Sequence, residues 1–497
     1  MGRLSELARL EEIVDAAGVA ARIEAALPLG PRPRQLSVRS LLVGMLLAQG
    51  DGRAAHLTRV HAALVGLSGP DRVRLGVVVP WRSGSHLLTY RQVEYTFGRV
   101  VAVLTKEDPD GSPSEALSGV VDDLIEASIG ADYKSASAGL AVDWTDLESW
   151  ATRPHTGQVS MDPEASWGHR RSNVMGVDDE TFYGYYLSAA VMVPDHPGGP
   201  APELIRRITA STCSVDPVVA LVPTLTRLVG SGVALGDVLG DSGYSHRVAP
   251  KWASPIRALG GSLVVDLHPH DRGAHGTWGG AICANGNLYC PAIPKALLDL
   301  VPLVRGADRE TTAAHDARSA EAGAYKLGAI NSPDADGYRR VACPAASGKV
   351  RCPRREASMA LGYDRPTVNS PPEGSPTCCV QKSLTVPASI NAKTAQRHDY
   401  PGPAWRASYA RRSGAERAFS TLKDPASNDI NRGWCRIAGL TGISLFLAAV
   451  TVTRNLRVTD AFEARAAEDA RRAEQGRPAR TRRRRRKTLS ELAGTTA

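Results

Sequence analysis

Residues 409–423 read YARRSGAERAFSTLK. At about 100° per residue, Tyr409, Arg412, Glu416 and Lys423 fall within about 60° of arc on one helix face. Arg411 and Arg417 add positive charge nearby. One carboxylate thus stands in a row of cations beside a phenol. A helix that only packs needs no such row, and ion pairs on a solvated face contribute only ~0.2–0.5 kcal/mol each. The pattern suits a carboxylate that holds a metal while its neighbours hold phosphates.

Working outward, residues 396–460 read as helical. The run IAGLTGISLFLAAVTVTRNLRV is apolar on most sides and is expected to pack against a sheet. Upstream, GLAVDW (139–144), FYGYYLSAAVMV (182–193) and LIRRITASTCSV (204–215) read as three strands. PVVALVPTLTRLVGSG (217–232) reads as a helix, LGDVLGDSGYS (235–245) as a strand breaking at Gly-Asp, SPIRALGG (254–261) as a helix and SLVVDLHP (262–269) as a fifth strand. Strands followed by strand–helix alternation predict an α/β core with a mixed sheet over 136–270. Residues 271–395 are rich in Gly, Pro, Asp and Cys with weak periodicity, and read as an irregular insertion. Residues 1–135 read as a helical N-terminal domain, with DNA binding as its functional reading; SVRSLLVGMLLAQ (37–49) and YRQVEYTFGRVVAVL (90–104) are amphipathic.

Charge is concentrated at one end. Residues 471–487 carry ten Arg or Lys against one Glu, which accounts for the whole net charge of +9. Residues 461–497 are therefore expected to be a disordered basic tail that contacts nucleic acid. The longest apolar run, ISLFLAAVTV (443–452), is too short to cross a bilayer, and MGRLSELARLEE lacks the apolar core of a signal peptide. A cytoplasmic, bacterial protein with reduced thiols is expected, and the Ala-, Val-, Leu-, Gly- and Arg-rich composition suits a high-GC genome.

Acids at strand ends are the first candidates for chemistry. Asp143 ends the first core strand and Asp241 the fourth, and such ends converge at one sheet edge. With Glu416 they make three carboxylates, a set of hard oxygen ligands suited to two Mg²⁺ ions. Asp146 and Asp266 compete for the first and second places; Asp143 is preferred because the strand pattern stops there.

Tyr409, Arg412, Glu416 and Lys423 resemble, interval for interval, the Tyr-Arg-Glu-Lys signature of DDE transposases of bacterial insertion sequences. Asp241-Ser242-Gly243-Tyr244 resembles the second motif of that family, an Asp followed by Gly-Tyr, and Asp143 the first, an acid after an apolar strand. The resemblance covers about 136–270 and 396–455. It implies a ribonuclease H-like core interrupted by an insertion, with Asp143, Asp241 and Glu416 as catalytic metal ligands for Mg²⁺, Mn²⁺ being able to substitute. It implies that Tyr409, Arg412 and Lys423 bind the DNA backbone, that double-stranded transposon ends and target DNA are the partners, and that a homodimer forms the synaptic complex. The reaction implied is cleavage at the element's ends and strand transfer. A related-fold nuclease and a domesticated or inactive DNA-binding protein are the alternatives.

Other residues carry weaker signals. His169 and His246 could contact phosphate, and Trp434 could stack on a flipped base or belong to the core. The insertion holds Cys283, Cys290, Cys343, Cys352, Cys378 and Cys379 but no C-x₂-C pair, so ordinary thiols are expected over zinc, unless widely spaced pairs meet. No phosphate-binding glycine loop is present, so no nucleotide cofactor is expected.

Overall fold

Ser5, Asp216 and Ser114 each stand just before an amphipathic run and cap its first turn. The computed structural model describes residues 5–28, 35–50, 54–81, 84–152, 154, 158–170, 180–304, 306–334 and 337–479. It begins with helices α1 (Glu6–Ala17), α2 (Val19–Ala26), α3 (Val38–Gly50), α4 (Leu57–Val65) and α5 (Gly69–Arg74). A hairpin of β1 (Val78–Trp81) and β2 (Gly84–Leu87) follows, then α6 (Tyr90–Leu104), α7 (Glu115–Ala127) and α8 (Ala131–Lys134). The Ser5 hydroxyl accepts from the Ala8 N–H (3.2 Å), and the Ser114 hydroxyl from that of Leu117 (3.0 Å). Each satisfies a donor that the first turn leaves orphaned.

The centre is a mixed sheet flanked by helices. Its strands are β3 (Leu140–Glu148), β4 (Ser166–Arg170), β5 (Glu180–Met192), β6 (Ile205–Thr212), β7 (Asp237–Gly240) and β8 (Ser262–Val265), with helices α9 (Pro217–Gly230), α10 (Ser242–Ser245) and α11 (Ala253–Ala258) between the later ones. β5 pairs antiparallel with β3, β4 and β6, whereas β3–β7 and β7–β8 are parallel. The path is thus β6-β5-β3-β7-β8, with β4 alongside the first part of β5. Nearly every residue of β5, β6 and β7 is buried, which explains why they read as continuous apolar runs rather than alternating ones.

Two strand assignments change. β3 does not stop at Asp143 but runs on to Glu148, because Arg170 of β4 pairs with Asp146 (2.6 Å) and Glu148 (2.9 Å) and lets the polar half stay extended. β4 itself was not foreseen; its SWGHR sequence is half exposed and has no apolar alternation.

Residues 271–395 form two small three-stranded sheets. One contains β9 (Ala274–Trp278), β10 (Ala281–Ala284) and β11 (Asn287–Tyr289). After α12 (Lys295–Leu298) and α13 (Arg309–Tyr325) comes the other, β12 (Gly328–Ala329), β13 (Arg339–Ala342) and, beyond α14 (Thr377–Val380), β14 (Leu384–Val386). These elements carry two hydrophobic clusters of their own. The chain then returns through α15 (Pro403–Tyr409), a 3₁₀ turn at Ala410–Arg412, α16 (Ser413–Leu422) and the long α17 (Leu440–Glu474). The tail expected from 461 is therefore helical to Glu474, and the basic run from Arg480 lies outside the described residues.

Helix α17 is buried on all sides from Leu440 to Asn455. It packs against α3, α7 and β6. The Asn455 amide accepts from the Ile205 N–H (3.0 Å) and donates to the Ile205 carbonyl (2.8 Å), so a side chain completes the pairing of the β6 edge. The helices of residues 1–135 pack on one another and share one continuous core with the sheet and α17. Leu10, Val43, Phe97 and Leu124 belong to the same cluster as Ile208 and Phe446. Deleting residues 1–135 is therefore expected to leave an aggregating chain that binds a hydrophobic dye and shows no cooperative melting transition. A soluble, cooperatively melting 136–497 fragment would show that the two parts are independent. Among the described residues, no helix is long and apolar enough to cross a membrane.

Candidate active site

The parallel register decides which acids meet. Leu140 pairs with Val238 and Ala141 with Leu239, so the same register continued two steps sets Asp143 beside Asp241. Gly240 pairs with Val265, which sets Asp241 beside Asp266, each just past the end of its strand. Asp143 is thus mid-strand in β3 yet level with the point where β7 ends.

Asp241 caps the short turn that follows β7, accepting from the Gly243 N–H at 2.9 Å. Asp143 accepts from the Trp144 N–H, also at 2.9 Å. Burial, and then the neighbouring charge of Asp241, push the Asp143 carboxyl up to about 7, against the pull of Arg412 and the Trp144 N–H. Burial likewise raises Asp241, with Arg412 and the Gly243 N–H opposing and Asp266 adding to the rise. Two half-buried carboxylates that resist ionising together are a site prepared for positive charge.

Helix α16 lies over β3 and β5 and brings the signature to this edge. Gly414 makes the approach close, since a Cβ there would stand 2.5 Å from Val193 Cγ1. The expected single helix is broken by the 3₁₀ turn, but the face survives in part. The Arg412 guanidinium bonds the Glu416 carboxylate, stands 3.7 Å from Asp143 Oδ2 and lies over the Tyr409 ring, 5.6 Å from its centroid. Burial works against the Arg412 charge, but Tyr409, Glu416, Asp143 and Asp241 outweigh it and raise its pKa. Tyr409 stacks on Trp405 at 4.7 Å with 15° between the rings, and burial raises its phenol.

Lys423 goes elsewhere. It closes α16 and pairs with Asp146 at 3.1 Å, and Asp146 also holds Arg170. Burial would raise Asp146, but these cations outweigh it and hold the carboxyl below its ordinary value. Asp146 therefore serves the Lys423–Arg170 group rather than the Asp143–Asp241 pair. Asp266 accepts from the Tyr400 hydroxyl at 2.8 Å and pairs with Arg272 at 3.2 Å, beside Asp241 rather than in its place. Arg411 is not on the exposed face at all: it is buried and pairs with Asp237 of β7, anchoring the turn that carries Arg412. Arg417 pairs with Glu203. Trp434 is core, 4% exposed, which excludes base stacking by this side chain as it sits here. His169 is an exposed residue of β4, and His246 stacks near His268 with ring centroids 4.4 Å apart.

The structure thus gathers Asp143, Asp241, Arg412, Glu416 and Tyr409 and separates Lys423 from them. Sequence reading missed Asp237, whose only signal was an acid at the start of a buried strand. The carboxylates of Asp143 and Asp241 are the hard oxygen donors that Mg²⁺ or Mn²⁺ takes. Among the described residues no group of three or more His, Cys, Asp or Glu side chains is already arranged to hold a metal ion, and at this edge Glu416 bonds Arg412 instead. Its side chain is half exposed and able to exchange that partner. Compared with protein-family models and with curated proteins, the chain matches none.

Proposed function

We propose that the chain is a DDE transposase with a ribonuclease H-like core, cleaving DNA at transposon ends and joining it to target DNA. The observation that carries this reading is the register that sets Asp143 beside Asp241, under a helix that delivers Glu416 and Arg412 to the same edge. The β6-β5-β3-β7-β8 path, antiparallel and then parallel, supports the core assignment, as does an insertion placed between Asp241 and Glu416.

Asp143, Asp241 and Glu416 would hold Mg²⁺, or Mn²⁺ in its place, which when bound activates the attacking water or 3′-hydroxyl and stabilises the leaving oxygen. The backbone N–H groups of Trp144 and Gly243 orient the two aspartates, so the acids do not reorganise when they take up charge. Arg412 offers a planar donor fork suited to a phosphate, and Tyr409 stacked on Trp405 holds that fork in place. Lys423 lies one helix turn and more beyond, where it can meet the backbone farther along the duplex only by leaving Asp146.

The test is strand cleavage of a labelled duplex carrying the gene's own flanking ends, in Mg²⁺, Mn²⁺ or EDTA. The wild-type chain is expected to cut at the element boundary with either metal, and Glu416→Gln to lose at least about 10³-fold of that rate. Cutting without joining would favour a nuclease of related fold. Tight binding of ends without cutting would favour a DNA-binding descendant, a reading to which the Arg412–Glu416 bond lends some support.

A further inference from the structure

Three cysteines of the insertion share a local design. Cys290, Cys343 and Cys352 are each followed by Pro, and each opens a tight turn. The Ile293 N–H donates to the Cys290 carbonyl (3.0 Å), the Arg355 N–H to that of Cys352 (2.9 Å) and the Ser347 N–H to that of Cys343 (3.0 Å). In the first of these turns the Ala292 N–H also points at the Cys290 sulfur. A turn of this kind holds a thiol at its apex beside an amide donor, while burial outweighs that donor and pushes the Cys290 thiol up to about 12.

The strands bring these turns to one end of the insertion. Cys290 directly follows β11, and Cys343 directly follows β13. The segment between α13 and β12 lies between them: Tyr289 bridges Lys326, Gly328 pairs with Ala342, and both pairings are antiparallel. β11 and β13 therefore run the same way on either side of it and end together. β14 starts opposite that same end, Leu384 facing Val341, and α14 with Cys378 and Cys379 immediately precedes it. Cys290, Cys343 and Cys352 share one buried cluster. Cys290 is in electrostatic reach of Cys343, Cys379 and Cys352, and Cys379 of Cys343 and Cys352. All four are less than 10% exposed and all are free thiols. Cys379 belongs to the neighbouring cluster, and among the described residues no three of these side chains are already arranged to hold a metal ion.

We propose that Cys290, Cys343, Cys352 and Cys379 form a structural Zn²⁺ site that staples the insertion. Four soft sulfur ligands with no open position select zinc over the hard ions that suit the carboxylate edge. The two clusters of the insertion are small and joined by irregular chain, the situation in which a metal supplies stability that the core does not. On binding, each thiol gives its proton to solvent and the ion draws the four sulfurs together. The spacing rule for zinc failed here because no two ligands share a C-x₂-C turn; the ligands come instead from three separate turns and from α14.

Elemental analysis of the full chain, purified without chelator, is expected to give about one zinc per chain. Cys343→Ser and Cys352→Ser should each lower that content at least several-fold, while Cys213→Ser, outside the insertion, should leave it unchanged. Because a serine variant can misfold, a second measurement uses the wild-type chain. Titration with a mercurial thiol reagent should release zinc into a colorimetric chelator in step with modification of the insertion cysteines. No zinc in the metal-replete wild-type chain overturns the proposal, as does zinc content unaffected by both serine variants or release that does not follow thiol modification. Iron in place of zinc overturns the choice of ion.

Discussion

Replacing Asp143 by Asn is expected to abolish metal-dependent strand cleavage and, in EDTA, to raise the melting temperature of the chain at and above neutral pH. Losing an oxygen ligand at the cleavage edge removes several kcal/mol of transition-state stabilisation, on the order of 10³-fold or more in rate. The stability effect has the opposite sign because this carboxyl is held up to about 7 by burial and by Asp241. An ordinary aspartate ionises near pH 3.9. Below about pH 4 both folded and unfolded chains are protonated at this position, and the Asp carries no penalty. Between about pH 4 and 7 the unfolded chain gives up the proton and the folded chain keeps it, so stability falls by up to about 1.4 kcal/mol per pH unit. Above about pH 7 the loss is complete and constant. Asn has no proton to lose, so its advantage grows from about pH 4 to 7 and then levels, amounting to about a few degrees of melting temperature. Thermal melts of both proteins in EDTA between pH 4.5 and 8.5 decide it. Parallel curves would show that Asp143 is ionised without strain.

The second large effect lies one shell away from the acids. Asp237→Asn is expected to cost about 3–5 kcal/mol of folding stability and to suppress cleavage with it. Asp237 and Arg411 are both buried, at 8% and 5% side-chain exposure, and Asp237 also pairs with the exposed Arg397 at 3.3 Å, which leaves Arg411 as the charge that depends on Asp237 alone. Arg411 further donates to the carbonyls of Pro194 (2.7 Å) and Ser408 (3.1 Å), and the Ser408 hydroxyl reaches Asp237 at 3.2 Å. This network fastens the 3₁₀ turn to the first residue of β7, four residues before Asp241. Neutralising one partner leaves the other charge stranded, which is the costly case; replacing both by apolar residues removes the charge and the penalty together. Arg411→Met combined with Asp237→Leu should therefore regain most of the stability lost in Asp237→Asn, as measured by denaturant titration. A double variant no more stable than the single one would show that the ion pair itself, and not its disruption, carries the energy.

Much of the sheet was legible because its strands are buried on both faces. β5, β6, β7 and β8 announce themselves as β-branched and aromatic runs bounded by Gly, Pro and Asp, and α9 by its Asp216-Pro217 start. Asp143 and Asp241 were legible for the same reason, as acids embedded in apolar segments. What failed was whatever depended on a partner distant in sequence. The polar end of β3 stays extended because β5 pairs with it as far as Glu148 and because Arg170 arrives from β4. Lys423 sits on the signature face by helix geometry, yet Asp146 claims it across the sheet. Arg411 and Arg412 are adjacent in sequence and look alike; one is buried under β7 and the other faces the acids. The N-terminal helices showed their amphipathic faces but not what those faces cover, since α17 lies far downstream.

That last relation bears on how the protein is made. Arg9 of α1 pairs with Asp460 of α17, 451 positions along the chain. At roughly 5–20 residues per second, the ribosome needs roughly twenty seconds to a minute and a half between those two residues. For the later half of that interval, once β6 is complete, α3, α7 and β6 have been synthesised but lack the helix that covers them. Asn455, which will close the β6 edge, does not yet exist, so a strand edge stands open beside uncovered apolar faces. Closure of this core therefore waits for α17, and until that helix emerges the nascent segments rely on being shielded.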